Sequence, residues 1–152
     1  MTDAKSPASP PARIWLIALL ALIPFPASAF YYAFGPRELG PSALGVLMTW
    51  SAVVLAFLGG VRWGLESGRP QPRTRTLALS VISPVGAWAL LLARDKLDVS
   101  FLLCGLLAAF MGQWLFDHVM PDTSRRYPSL STVLTLGACL SLAVALEQAL
   151  RM

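Results

Sequence analysis

The chain has 152 residues, of which 56% are hydrophobic and only 13% charged. Runs of about 20 apolar residues recur along it, long enough to cross a bilayer as helices, which excludes an ordinary soluble domain. The net charge of +4 does not indicate a nucleic-acid partner, because the arginines sit in short loops between apolar runs, where they report membrane topology.

Residues 1–12 are rich in Pro, Ser and Ala and are expected to be a disordered tail. A single transmembrane domain follows over 13–152, with a first span at about 14–34. Pro24 and Pro26 interrupt that span. Each removes a backbone donor and frees the carbonyl four residues earlier, at Leu20 and Leu22. A kink is expected, with neighbouring groups meeting the freed carbonyls. The competing reading is a cleaved leader. Lys5 and Arg13 would be its positive start, Ile14 to Phe25 its apolar core, and Ala27-Ser28-Ala29 its small-residue cleavage pattern. The apolar character continues to Phe34, which favours an uncleaved span.

A turn containing Gly35, Pro36, Gly40 and Pro41 leads to the second span, about 43–65. Its end, Phe57-Leu58-Gly59-Gly60-Val61-Arg62-Trp63-Gly64, brings together glycines, a charge and an indole where a membrane helix leaves the bilayer. Ala56, Gly60 and Gly64 recur every four residues and form a face that another helix can approach closely. Gly59 beside Gly60 weakens the helix there and is a second expected kink. Arg62 either snorkels beside the belt residue Trp63 or needs a partner. Glu66, one turn on, is a candidate.

The third span, about 75–93, contains Pro84, which frees the carbonyl of Ser80. The Ser80 and Ser83 hydroxyls are placed to compensate. The fourth span covers about 99–117 and the fifth about 129–149. Gly137, Ser141 and Ala145 give the fifth a second small-residue face. Cys104 and Cys139 lie inside spans and read as small packing residues. With His118 as the only histidine, no His-rich metal site exists, and no metal or other cofactor is expected.

With five spans, the tail, second loop and fourth loop share one side. Eight of the 12 Lys and Arg residues fall there and four on the other. The expected orientation is N-terminus inside, C-terminus outside, in a bacterial inner membrane. The alternation of spans then places Arg62, Glu66, Ser80, Gln113, Asp117, His118 and Tyr127 at one level, the cytoplasmic half. They are either interface residues satisfying helix ends or a polar pocket built around the kinks. Arg62 and Asp117 end at similar depth and are expected to pair.

These residues resemble a known family, the domain of unknown function 3429, which includes a mitochondrial membrane protein. The likeness rests on Ile23-Pro24-Phe25, and on Phe57 to Gly64 against the signature F-x-G-G-(I/V)-x-W-G. It continues with Ser80-Val81-Ile82-Ser83-Pro84 and Ala87-Trp88, Gln113 with Asp117, and Tyr127 with Leu134-Thr135. This chain has Arg62 where the family commonly has histidine. It has Arg126-Tyr127 for Trp-Tyr, and lacks an arginine near Ser131 that Arg126 stands to supply. The histidine would titrate near neutral pH, and Arg62 does not. The resemblance implies an all-α, five-helix bundle and lends no enzyme class.

The functional expectation is a structural or accessory membrane protein that contacts lipids and, through a small-residue face, another membrane protein. The mitochondrial relative suggests an energy-transducing membrane by analogy only. The alternative is a small transporter or a lipid- or quinone-binding protein using the polar cluster. An enzyme acting on lipids ranks third, with His118, Glu66, Asp117 and the serines as its available groups and no nucleophile motif.

Overall fold

The computed structural model describes residues 12–119 and 128–151. Residues 1–11 of the expected tail, and Arg125, Arg126 and Tyr127, lie outside the described residues. The regular elements are α1 (Ala12–Leu22), α2 (Pro24–Phe34), a 3-10 turn (Arg37–Leu39), α3 (Gly40–Ser67), α4 (Thr74–Leu92), α5 (Val99–Val119) and α6 (Pro128–Arg151). No strand occurs among the described residues. Five stretches are long and apolar enough to span a membrane, with α1 and α2 together making the first, Trp15–Phe34.

The distribution of apolar side chains decides the solvent. Only 17% to 39% of each span's most apolar stretch is buried. Phe30, Phe34, Phe57, Trp88, Phe101 and Leu140 are all more than half exposed. That much apolar surface on every side is stable only against lipid, and a bundle of closed helices is one of the two backbones that lipid tolerates. The protein is an integral membrane protein of five spans.

The helices form a ring in chain order. The α1/α2 unit packs on α3, α3 on α4, α4 on α5, α5 on α6, and α6 closes back on the α1/α2 unit. A cross-contact joins α3 to α5 through the middle. The core is apolar, with Phe25, Leu47, Leu55, Leu103, Leu106, Phe110 and Leu142 fully buried. Phe25 and Phe110 meet edge to face at 5.9 Å. In lipid such contacts hold helices together by dispersion and shape, since leaving lipid gives an apolar group no hydrophobic gain.

Pro24 and Pro26 act as a break rather than a bend. The helix stops at Leu22, Ile23 turns, and Pro24 starts a new helix, a position where its missing N–H costs nothing. The Leu20 carbonyl accepts a long, 3.3 Å bond from the N–H of Ile23, three residues on. The Ala21 carbonyl, stranded at the break, accepts the Trp50 indole N–H from α3 at 2.9 Å. A neighbouring helix thus meets a freed group, at Ala21 rather than at Leu22.

Across Gly59-Gly60 the α3 helix runs without interruption, from Gly40 to Ser67. Gly59 is a contact. A Cβ built on it would lie 2.5 Å from the Ser80 carbonyl oxygen and 2.9 Å from the Pro84 ring. Pro84 leaves that carbonyl without its helical donor, and the bare Gly59 backbone packs against it. The Ser80 hydroxyl donates to the Leu77 carbonyl at 2.7 Å, so it serves its own helix and not the group that Pro84 frees.

The two small-residue faces have opposite fates. On α6, Ser141 and Ala145 are buried, and Gly137 sits so close to Leu22 of α1 that a Cβ would fall 2.4 Å from its methyl. On α3, Ala56, Gly60 and Gly64 are exposed, and Cβ positions at Gly60 and Gly64 meet nothing within 4 Å.

Candidate functional site

The α3–α5 crossing is where polar groups gather. The inward stripe of α3 is Leu55, Gly59, Arg62 and Glu66, all buried, at the 4-3-4 spacing of one helix face. This phase explains both its polar residues and its outward glycines. A helix that aims residues 59, 62 and 66 inward turns 56, 60 and 64 away.

Arg62 is 3% exposed and forms a salt bridge from Nη2 to Oδ1 of Asp117. The same nitrogen lies 3.4 Å from the Gln113 carbonyl oxygen. The guanidinium carbon stands 4.4 Å above the Phe116 ring, where the ring's negative face adds attraction. Gln113 and Asp117 are one turn apart on α5, so one guanidinium spans both. Asp117 is 29% exposed, and the Ser131 hydroxyl of α6 donates to its Oδ2 at 3.4 Å. Three helices converge on this pair, which holds a buried cation at neutral net charge.

The other residues of the expected cluster disperse. Glu66 is 1% exposed and does not serve Arg62. Its Oε2 lies 3.4 Å from Arg69 Nε, and its Oε1 accepts the Arg73 backbone N–H at 2.9 Å. It thereby ties the α3–α4 loop back onto α3 and caps the start of α4. Ser80 is buried with its hydroxyl spent locally. His118 is exposed, with its ring against Trp114 at 4.2 Å and Nδ1 3.0 Å from the Trp114 carbonyl oxygen. Tyr127 and Arg126 lie outside the described residues, and with them the expectation that Arg126 supplies a basic group near Ser131. Phe116, Ser131 and Thr135 were not legible as members of this site. Ser131 and Thr135 entered the sequence reading only through the family resemblance, and Phe116 only through its proximity to Asp117.

Gln113 is 2% exposed, and neither polar atom of its side chain has a hydrogen-bond partner. The Thr135 hydroxyl is likewise buried and unpartnered. In antiparallel α5 and α6 the Asp117–Ser131 contact sets a register that puts Thr135 level with Gln113, one turn deeper. An unpaired buried amide costs about 1–3 kcal/mol, and α5 keeps one inside the bundle. Beside it a crevice of about 310 Å³ opens between α4 and α5, lined by Arg62, Ser83, Gly86, Gly112, Gln113 and Phe116 among others. Of the expected polar cluster, only Arg62 and Gln113 line this crevice.

Among the described residues no group of three His, Cys, Asp or Glu is placed to hold a metal ion.

The chain is similar to curated proteins named as transmembrane proteins. Transmembrane protein 69 of Mus musculus is 33% identical over 135 residues, covering 86% of this chain and 54% of the mouse protein. Transmembrane protein 69 of Xenopus tropicalis is 27% identical over 154 residues, covering 92% of this chain and 56% of the frog protein. The chain therefore spans about half the length of the curated relatives it matches. No solved structure matches. A family model matches residues 10–147, and the chain belongs to that family, described as protein of unknown function (DUF3429).

Proposed function

We propose that this five-span membrane protein is a structural or accessory component of an energy-transducing inner membrane, docking another membrane protein on the outer face of α3. The observation that carries the reading is the exposed Ala56–Gly60–Gly64 stripe, with open space above both glycines. Exposed Val53, Phe57 and Val61 flank it. Small residues flanked by larger ones form the shallow groove by which membrane helices approach one another. The comparable face on α6 is already used inside the bundle, so the α3 face is the one open to a partner.

The Arg62–Asp117 pair fits the same reading. Its charges neutralise each other and fasten α3 to α5, as a static strut does. The Lys/Arg bias adds the expectation that the N-terminus faces the cytoplasm of a bacterial cell and the C-terminus the opposite side.

The test is purification of the full chain from its native membrane in mild detergent, followed by mass spectrometry of bound proteins. A stoichiometric membrane-protein partner is expected, and Gly60→Leu should release it without lowering the unfolding temperature of the chain. Recovery of wild type without a partner, or a partner that Gly60→Leu leaves bound, would refute the reading.

A further inference from the structure

Another cavity lies at the end of the bundle opposite Arg62 and has a chemistry of its own, independent of the α3 face. Tyr32 is two residues from the end of α2, Val99 begins α5, and Ala149 is two residues from the end of α6. The backbones of α2 and α5 stand apart, and α6 packs on both. Between them opens a cavity of about 480 Å³, lined by Tyr32, Asp98, Val99, Ser100, Phe101 and Ala149. That volume lies within the ~300–1,000 Å³ typical of small-molecule sites. Tyr32, Val99 and Ala149 also pack on the apolar core, so the fold itself fixes the floor of the cavity.

The polar groups of the lining are the Asp98 carboxylate and the hydroxyls of Tyr32 and Ser100. Asp98 immediately precedes α5, where an aspartate commonly caps a helix. Among the described residues, however, its carboxylate accepts no hydrogen bond and joins no ion pair. Nearby cations are spent elsewhere or do not reach it. Arg94 pairs with Asp95 and Arg151 with Glu147, and neither Lys96 nor Arg37 bridges to Asp98. The carboxylate repels an anion, and a neutral molecule leaves its charge unanswered. Two aromatic rings, Tyr32 and Phe101, line the same space, and an aromatic face attracts a cation. A free carboxylate beside aromatic rings over an apolar floor suits an organic ammonium group.

We propose that the cavity between α2 and α5 binds an organic ammonium, its charge on the Asp98 carboxylate, one N–H donated to the Ser100 hydroxyl, and its carbon atoms against Tyr32 and Phe101. A phosphatidylethanolamine headgroup and a free alkylamine share this chemistry.

The full chain is purified in dodecyl maltoside, a detergent without charge, and exposed to three probes that carry a diazirine close to the polar group. They are a phosphatidylethanolamine, a phosphatidylglycerol with the same acyl chains, and a long-chain primary alkylamine. Labelled peptides are mapped by mass spectrometry. The ammonium probes are expected to label the peptides containing Tyr32 and Asp98–Phe101, and the phosphatidylglycerol probe to leave them unlabelled. Phosphatidylethanolamine labelling that free alkylamine does not displace assigns the ammonium site to the lipid headgroup. Alkylamine labelling that phosphatidylethanolamine does not displace assigns it to a free amine. Asp98→Asn should weaken the labelling about tenfold, the loss of one charged hydrogen bond, and Asp98→Glu should keep most of it. Phe101→Leu should weaken it about threefold. Asp98 and Phe101 are both exposed, so the unfolding temperature should hold in all three variants. Equal labelling by the phosphatidylglycerol probe, no labelling by either ammonium probe, or labelling that Asp98→Asn leaves unchanged would overturn the proposal.

Discussion

Removing Asp117 isolates a cation that the protein has almost completely enclosed. In Asp117→Ala the Arg62 guanidinium, 3% exposed, keeps only the Gln113 carbonyl oxygen at 3.4 Å and the face of Phe116. Two unit charges about 4 Å apart attract by roughly 4 kcal/mol at an effective dielectric near 20, and breaking a buried pair costs about 3–5 kcal/mol. In a membrane the unfolded chain also finds partners for its charges, which lowers the figure. We therefore expect a loss of about 2–4 kcal/mol. The reverse change is milder. Arg62→Leu leaves Asp117, 29% exposed and beside the Ser131 hydroxyl, able to reach water, for a loss of about 1–2 kcal/mol. The double variant Arg62→Leu with Asp117→Ala should lose little more than the milder single one, a coupling of about 1–3 kcal/mol. Charge reversal, Arg62→Asp with Asp117→Arg, should likewise recover part of what each single change loses. Reversible unfolding in mixed detergent micelles measures all of these. Singles that add within ~0.5 kcal/mol in the double, or an Arg62→Leu that is the worse single, would refute the asymmetric buried pair.

Three further outcomes follow from particular contacts. Gly59→Ala should destabilise the bundle by about 1–3 kcal/mol, because its methyl would strike the Ser80 carbonyl and Pro84. Gly60→Ala, one residue away in open space, should leave the isolated chain unchanged or slightly more stable, and detergent melting of the two variants tests the contrast. Glu66→Ala removes the carboxylate that meets the Arg73 N–H and Arg69 Nε. It should cost about 1–3 kcal/mol and speed tryptic cleavage after Arg73 or Arg75, whereas an unchanged cleavage rate would show that the loop does not depend on Glu66. Trp50→Phe strands the Ala21 carbonyl and should raise hydrogen exchange of the amides around the α1–α2 break, with α4 and α5 unaffected.

Much of the architecture was legible because lipid restricts what a chain can do. Five apolar runs with turn residues between them imply five helices, and the alternation of those helices puts Arg62 and Asp117 at one depth. Pro24 and Pro26 marked the broken first span, although which side chain would answer the stranded carbonyl was not visible. Trp50 reads from sequence as one more apolar residue of span two. The partner of Glu66 was misjudged for a physical reason. Spacing along a helix favours Arg62 four residues earlier, but the loop after Ser67 folds back and offers Arg69 and the Arg73 amide. Spacing alone gave the close-approach face to Gly60, whereas within the bundle the close contact is made by Gly59. The crevice beside Gln113 depends on how α4 and α5 diverge, and no spacing within either helix encodes that.

What the sequence by itself determined is the one-dimensional order: which stretches lie in lipid, where they end, and which polar groups share a level. Composition decides these, because a charge or an unpaired backbone group in hydrocarbon is costly wherever the helix points. Only the tertiary structure decided which way each helix faces. In water an amphipathic pattern reveals the buried side, but in a bilayer the lipid-facing and core-facing sides are both apolar, so the pattern is nearly silent. Packing sets the phase instead. Gly59 fits against the Pro84 turn, Arg62 and Glu66 follow it inward, and Ala56, Gly60 and Gly64 are left on the outside.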